Sequence, residues 1–155
     1  QEIFAKVLID KDSPYLKSIV LNKGTKDKVK IGMAVIDEVY LVGQIIEVNY
    51  SNSRALLLSD LNSKIPSVLA PQNIQAVISG TGKSHGIIEH TKEDIEEDLK
   101  GKDVIIYTSG LGGIFKPGIP IGKISKDNQK RVNFFSDFTQ LDYVKIISFK
   151  IGDIK

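Results

Sequence analysis

The sequence predicts an all-β protein made of two tandem small β-barrels of the six-stranded type, related by an internal repeat, with at most one short helical turn. The apolar residues include 23 Ile and 12 Val but only 5 Ala and 1 Met. β-Branched residues fit a pleated sheet and lose rotamer freedom in a helix, whereas Ala is the best helix former. Short apolar runs also alternate with turn residues, at the spacing of a barrel or sandwich.

Twelve apolar runs are predicted as strands, and turn residues separate them. They are residues 5–9, 18–21, 33–36, 40–48, 54–58, 66–69, 74–79, 85–90, 104–107, 119–125, 131–135 and 143–149. Asp37-Glu38 is the predicted tip of a hairpin. Gly43, inside the longest run, indicates a bulge or a close backbone approach. Thr91–Leu99 is the one predicted helical turn, since Thr91 and Asp94 resemble a capping box.

Two segments of the first half recur in the second half. Leu41–Ile45 matches Pro120–Ile124, and Arg54–Leu61 matches Arg131–Phe138, at offsets of 79 and 77 residues. We therefore predict a first barrel over residues 1–80 and a second over 81–155, joined near residues 80–82, with terminal strands able to cross over. Units this small are marginally stable alone and should pack on each other.

Composition excludes several classes of protein. The chain has no Cys, so it has no disulfide framework, thiolate nucleophile or Cys-based zinc site. Its 21 basic residues, of which only two are Arg, are offset by 19 acids spread along the chain, which disfavours nucleic-acid binding. No apolar stretch approaches the roughly 20 residues that a membrane span needs. Because the chain begins at Gln1, we expect it to be a piece of a longer protein.

Two motifs suggest ligand sites but are better explained by structure. Gly80-Thr-Gly-Lys-Ser84 resembles part of a phosphate-binding loop, but Val77 stands where that motif needs Gly, and a strand rather than a helix follows. We predict a turn there. The acidic run 94–98 lacks the spacing of a calcium loop and is predicted to be a solvated charge run.

Ser109-Gly-Leu-Gly-Gly113 suggests a serine nucleophile, which a His would have to activate. His85 and His90 lie in one predicted strand on opposite faces, and the first unit contains no His. Protease chemistry is therefore disfavoured. We predict a loop whose glycines adopt positive φ.

Polar residues recur at matching places in the two units. Ser59-Asp60 and Ser136-Asp137 end strands, where short polar side chains bond the local backbone and stabilise turns. Arg54 and Arg131 open the same strands, and structural ion pairs are predicted for them.

The candidate partner-binding residues are apolar or aromatic. They are Leu111, Ile114, Phe115, Tyr40 and Tyr143, and the first three belong to the loop of residues 110–120. Exposed aromatic residues next to apolar ones are typical of partner surfaces. Phe115 is predicted either to be exposed on this loop or to pack in the core or between the barrels.

The sequence resembles a known family. Thr108–Gly122, a long Gly-rich motif, is similar to the signature of the rod shape-determining protein MreC family. Asn22–Val35, Leu41–Gly43 and Ser53–Asp60 resemble that family as well, and together these segments cover most of the chain in the family's order. Asn128–Asp142, with its Phe-Phe pair, departs from the pattern.

The resemblance implies a non-enzymatic scaffold of the cell-elongation complex, with no cofactor or metal. Its members link MreB and MreD to the elongation-specific penicillin-binding transpeptidase and form dimers or filaments. They are anchored to the cytoplasmic membrane by one helix, followed by a coiled coil and two extracytoplasmic (periplasmic) β domains, which this chain would represent. The alternative is a cell-wall-acting enzyme or a peptidoglycan-binding module on a double-barrel protease-like fold.

Overall fold

Twelve strands form two closed six-stranded barrels in the computed structural model, which describes residues 2–8, 17–90, 99, 101–113 and 115–149. The strands are β1 (Glu2–Leu8), β2 (Ser18–Leu21), β3 (Ala34–Asp37), β4 (Tyr40–Val48), β5 (Ser53–Leu57), β6 (Lys64–Ala70), β7 (Ile74–Gly80), β8 (Gly86–His90), β9 (Ile105–Thr108), β10 (Pro120–Ile124), β11 (Arg131–Phe134) and β12 (Tyr143–Ile147). The helical elements lying wholly within these residues are two 3-10 turns, Thr25–Asp27 and Leu111–Gly113. The predicted all-β fold is confirmed, while the predicted turn at 91–99 falls, except for Leu99, outside the described residues.

The first barrel has the closed strand order β1-β12-β3-β4-β5-β2, and the second has β10-β11-β8-β7-β6-β9. Strands β3, β4 and β5 correspond to β9, β10 and β11, as the sequence repeat requires. In the first barrel β12 lies between β1 and β3, and in the second β6 lies between β7 and β9. Each repeat of six strands, β1–β6 or β7–β12, therefore gives five strands to one barrel and its sixth strand to the other.

The predicted division at residue 80 is corrected by this exchange. Strands β6 and β7 pair within the second barrel, and β12 pairs within the first. The repeats join at the turn of residues 71–73, not near residue 80. A closed barrel needs every strand edge paired, and the alternation of apolar and polar residues does not say which barrel a strand completes.

Strand β3 shows where the two barrels meet, because both of its faces are buried. Val35 points into the core of the first barrel, whose buried residues also include Val144 and Ile146 of β12. Ala34 and Ile36, on the other face of β3, belong to the core that fills the second barrel. The first barrel thus covers part of the second barrel's apolar core, as expected for two small units.

Side chains from residues 128–142, the segment that departs from the family pattern, hold the barrels together. The Phe135 ring lies 5.0 Å from the Tyr40 ring, centroid to centroid. Ser136 Oγ donates to Asp37 Oδ2 of the β3–β4 hairpin at 3.4 Å. Phe138 packs against both cores. These contacts give that segment a structural role between the barrels.

Asp60 and Asp137, two of the four polar residues that end strands, bond local backbone as predicted, whereas Ser136 bonds the distant Asp37. Asp60 is buried, and its carboxylate accepts from the N–H groups of Lys17 at 2.7 Å and Asn62 at 2.8 Å. Asp137 accepts from the Thr139 hydroxyl at 2.6 Å and the Thr139 N–H at 3.0 Å. These two hydrogen bonds hold the pKa of Asp137 below its ordinary value.

The ion pair predicted for Arg54 is present, since its Nε lies 3.9 Å from Glu47 Oε2. Arg54 also donates to Ser18 Oγ at 2.9 Å. In the described part of the chain, no ion pair joins the Arg131 side chain to another residue. Arg54 and Arg131 therefore occupy the same position in the repeat, but within the described residues only Arg54 forms an ion pair.

Gly43→Ala is expected to lower the free energy of unfolding by about 3 kcal/mol, the upper part of the range for overpacked sites. A Cβ at Gly43 would overlap the carbonyl oxygen of Leu56 on the paired strand, a backbone atom that cannot move without disturbing the sheet. Gly122, its counterpart in the repeat, meets Asn133 in the same way. Urea unfolding measures the loss.

Gly101→Ala is the control, expected to cost about 1–2 kcal/mol because this site is open and only its φ of 73° is strained. Equal losses of unfolding free energy in Gly43→Ala and Gly101→Ala would contradict the close approach of the Leu56 carbonyl to Gly43.

Candidate partner-binding surface

The Gly-rich loop that follows β9 is closed at its base by Thr108, which is buried. Its hydroxyl donates to the carbonyl of Lys116 at 2.6 Å and accepts from the N–H of Ile119 at 2.9 Å. Its own backbone exchanges hydrogen bonds with Gly118 and Ile119, both at 2.9 Å. The loop is therefore tied together across its base by hydrogen bonds.

Glycines let this loop turn tightly, as the sequence predicts. Gly110 has a φ of 78°, and a Cβ there would press against the Pro117 ring at 3.1 Å. Ser109 Oγ accepts a hydrogen bond from the Leu111 N–H at 3.2 Å, so the serine stabilises the turn. This contact supports a structural role for Ser109.

Phe115 is the anchor of the loop and not part of its exposed surface. Its side chain is 3% exposed and packs in the core of the second barrel. Of the two places predicted for Phe115, exposed on the loop or packed in the core, the structure has the second. The ring is therefore not accessible to a partner, and any effect on binding would come through the shape of the loop.

Leu111 and Tyr143 are the exposed members of the predicted set, at 58% and 62% of their surface. Leu111 lies at the tip of the Gly-rich loop, and Tyr143 begins β12 on the first barrel. Tyr143 is in register with Lys6 of β1. Both residues place apolar surface in solvent on rigid elements, which suits a contact with another protein.

A shallow groove connects the loop with β12. Its volume is about 300 Å³. The lining residues are Glu2, Ile36, Glu38, Val39, Lys116, Pro117, Gly118, Ile119, Pro120, Lys145 and Ile147. The base of the loop and strand β12 thus form two walls of one groove at the junction of the barrels. The structure brings these two predicted regions together, although they are far apart in sequence.

The other two predicted residues do not add exposed surface. Tyr40 is half-buried, and its ring packs on Phe135. Ile114 lies outside the described residues. Tyr40 therefore belongs to the inter-barrel contact. Tyr143 and Leu111 do not line the groove themselves, but they lie on β12 and on the Gly-rich loop, the two elements that form its walls.

Sequence reasoning missed two exposed apolar residues beside this surface, Phe4 and Val39, which are 67% and 59% exposed. Phe4 lies opposite Lys145 in the β1–β12 pair. The alternation of side chains along β1 could have predicted that Phe4 is exposed, because it shares a face of the strand with the charged Glu2 and Lys6. Val39 sits at the hairpin tip, where an apolar residue has no strand neighbours to cover it.

One histidine has a shifted pKa. Burial, helped by the positive charges of Arg131 and Lys83, lowers the pKa of His85 below its ordinary value. Within the described ranges, no group of three His, Asp or Glu side chains is arranged to hold a metal ion. In the same described residues, no helix has the length and hydropathy needed to cross a membrane.

A curated protein is similar to this chain in sequence. The chain is 31% identical over 143 residues to "Cell shape-determining protein MreC" of Cereibacter sphaeroides, an alignment that covers 91% of this chain and 47% of that protein. The chain therefore spans about half the length of this curated relative.

Solved structures share the fold. MreC from Pseudomonas aeruginosa has a TM-score of 0.79 at 24% identity, covering 96% of this chain and 99% of that one. The major periplasmic domain from the cell shape-determining filament MreC has a TM-score of 0.78 at 19% identity, covering 97% of this chain and 96% of that one. A complex between Penicillin-Binding Protein (PBP2) and MreC from Helicobacter pylori matches with a TM-score of 0.64 at 11% identity, covering 96% of this chain and 99% of that one.

The chain also matches a protein-family model over most of its length. Residues 7–148 match the family described as "Rod shape-determining protein MreC, barrel core". That range runs from β1 to the end of β12, so it includes both barrels and the exchanged strands. The chain belongs to the MreC family of rod shape-determining proteins.

Proposed function

We propose that this chain is the extracytoplasmic double-barrel part of a non-enzymatic scaffold that maintains rod shape. The full-length protein would be anchored in the cytoplasmic membrane, would link MreB and MreD to the elongation-specific penicillin-binding transpeptidase, and would self-associate. In this proposal the double barrel is the part that meets the transpeptidase. Its binding surface would comprise Leu111, Tyr143 and the groove whose walls are formed by the Gly-rich loop and β12.

One observation carries the proposal: Leu111 and Tyr143 are exposed on the two elements, one from each barrel, that form the walls of a groove. The exchanged strands and the buried Phe115 fix these walls, so little conformational entropy is lost when a partner binds. Aromatic and aliphatic anchors beside a groove are the usual source of binding energy at protein interfaces. The family member from Helicobacter pylori that was solved in complex with PBP2 supports a penicillin-binding protein as the partner.

The double variant Leu111→Ser/Tyr143→Ser is expected to bind the extracytoplasmic region of the transpeptidase at least about tenfold more weakly than the wild-type chain. Each substitution replaces an exposed apolar anchor by a small polar side chain and leaves the cores intact. Isothermal titration calorimetry with the purified transpeptidase region measures the change in Kd. Thermal unfolding of the variant should match that of the wild type.

A matched control uses the same residue types elsewhere on the surface. Leu61 and Tyr50 are 67% and 73% exposed and lie in the turns after β5 and β4. Leu61→Ser/Tyr50→Ser is expected to leave the Kd unchanged within about twofold. Equal weakening by the two double variants would contradict the assigned surface, and a wild-type chain that does not bind would contradict the proposed partner.

A further inference from the structure

A second and larger groove lies mostly on the first barrel, at the loop that leads into β3, and Gly113 of the second barrel's Gly-rich loop completes it. Its volume is about 720 Å³. The lining residues are Thr25, Lys28, Val29, Lys30, Ile31, Gly32, Met33, Gln44, Gly113, Ser148 and Phe149. Its apolar part includes Ile31, which is 70% exposed, together with half-buried Met33 and Phe149. An apolar floor of this kind is suited to receive an apolar side chain.

The charged side chains among the described residues that line this groove are all positive. Lys28 and Lys30 are exposed on its rim, and no acidic side chain is among the described residues that line it. Asp27, which directly precedes Lys28, turns its carboxylate to the N–H of Gly24, from which it accepts a hydrogen bond at 3.0 Å. The groove therefore combines an apolar floor with a cationic rim.

The wall that carries the lysines is held rigidly by backbone hydrogen bonds. Thr25 and Lys26 donate to the carbonyls of Asn49 and Tyr50 at 2.9 and 3.1 Å, which ties this loop to the β4–β5 turn. Gly32 donates to the carbonyl of Ile45 at 2.8 Å, and Ile45 in turn donates to Met33 at 2.9 Å. A groove formed in advance loses little entropy on binding.

We propose that this groove binds an acidic peptide segment of a partner protein, with one of its apolar side chains seated over Ile31 and Met33 and its carboxylates beside Lys28 and Lys30. Charge complementarity and the apolar floor carry the assignment. A free anion would use the lysines but would leave the floor unoccupied. A membrane surface is flat and would favour a protruding apolar patch over a concave one. Gly113, two residues from Leu111 in the Gly-rich loop, also lines this groove. Lys28, Lys30 and Ile31 lie outside the surface assigned to the transpeptidase, so the inference does not depend on the proposed function.

A labelled peptide with the sequence of residues 91–99, TKEDIEEDL, tests the proposal because it contains five acidic residues together with Ile95 and Leu99. Fluorescence anisotropy with the whole 155-residue chain should show saturable binding that weakens as salt is raised. Reversing both rim charges in Lys28→Glu/Lys30→Glu should weaken binding at least about tenfold. Ile31→Ser should also weaken binding of the peptide, although this substitution changes no charge.

Two controls separate this groove from general attraction between opposite charges. Lys83→Glu/Lys126→Glu makes the same change in net charge at exposed residues that do not line the groove, and should leave the Kd unchanged within about twofold. A peptide with Ile95→Ser/Leu99→Ser should bind more weakly than the original. Far-UV circular dichroism and thermal unfolding confirm that each protein variant is folded.

Four results would overturn the proposal. They are the absence of saturable binding, equal weakening by the two charge-reversal variants, equal affinity for the peptide without its apolar residues, and sedimentation with phosphatidylglycerol vesicles that depends on Lys28 and Lys30 while the peptide does not bind. The last result would assign the groove to a lipid surface.

Discussion

Separate pieces comprising residues 1–80 and 81–155 are expected to remain unfolded. The first piece lacks β12, which leaves β1 and β3 with unpaired edges and removes Val144 and Ile146 from the core. The second lacks β6 and β7, and with them the fully buried residues Ile65, Leu69 and Ile78. Each such side chain contributes about 1.5–3 kcal/mol, and their sum is comparable to the whole stability of a small domain.

Circular dichroism and urea unfolding of each piece measure this effect, and a nicked chain provides the control. A protease site placed between Gly82 and Lys83, in the turn from β7 to β8, allows the folded chain to be cut while every strand is kept. The nicked protein is expected to stay folded, because both barrels remain complete. Cooperative unfolding of either separate piece would contradict the strand exchange.

Phe115→Ala is expected to lower the free energy of unfolding by about 3–5 kcal/mol, the range for truncating a buried Phe. The ring is 3% exposed and packs in the second barrel's core, so its removal leaves a cavity under the Gly-rich loop. Binding of the transpeptidase region should also weaken, since Leu111 would no longer be held in place. Urea unfolding gives the stability, and calorimetry gives the affinity.

Two further variants identify the cause. Leu111→Ala, at an exposed site four residues away, should change stability by no more than about 0.5 kcal/mol. Phe115→Leu keeps an apolar side chain in the core and should recover part of both stability and affinity. A stability loss below about 1 kcal/mol for Phe115→Ala would show that the ring does not anchor the loop.

Strand positions could be predicted from the sequence because they depend on local patterns. The predicted bounds of β2 and β4, residues 18–21 and 40–48, are those of the structure. Gly43 was expected at a bulge or a close approach, and the β3–β4 pair shifts register beside it. Which barrel β6 and β12 complete depends on pairing between distant segments, and the two barrels have similar apolar patterns. No local signal separates the two possibilities.

The candidate surface was predictable only in part. Leu111 and Tyr143 were predicted as partner-binding residues because they are apolar or aromatic, and both are exposed. Phe115 has the same kind of neighbours in sequence as Leu111, but the loop closed by Thr108 turns its ring inward. The direction of a side chain in a Gly-rich loop depends on backbone angles that the residue types do not specify.

Site-specific photocrosslinking tests the proposed scaffold surface most directly. A benzophenone amino acid is placed at position 143 or 111, or at the equally exposed control positions 50 and 61, and the chain is irradiated with the transpeptidase's extracytoplasmic region. We expect crosslinks from positions 143 and 111 and none from 50 or 61. Crosslinks from 50 or 61 without any from 143 and 111 would contradict the assignment of the groove between the barrels as the partner surface.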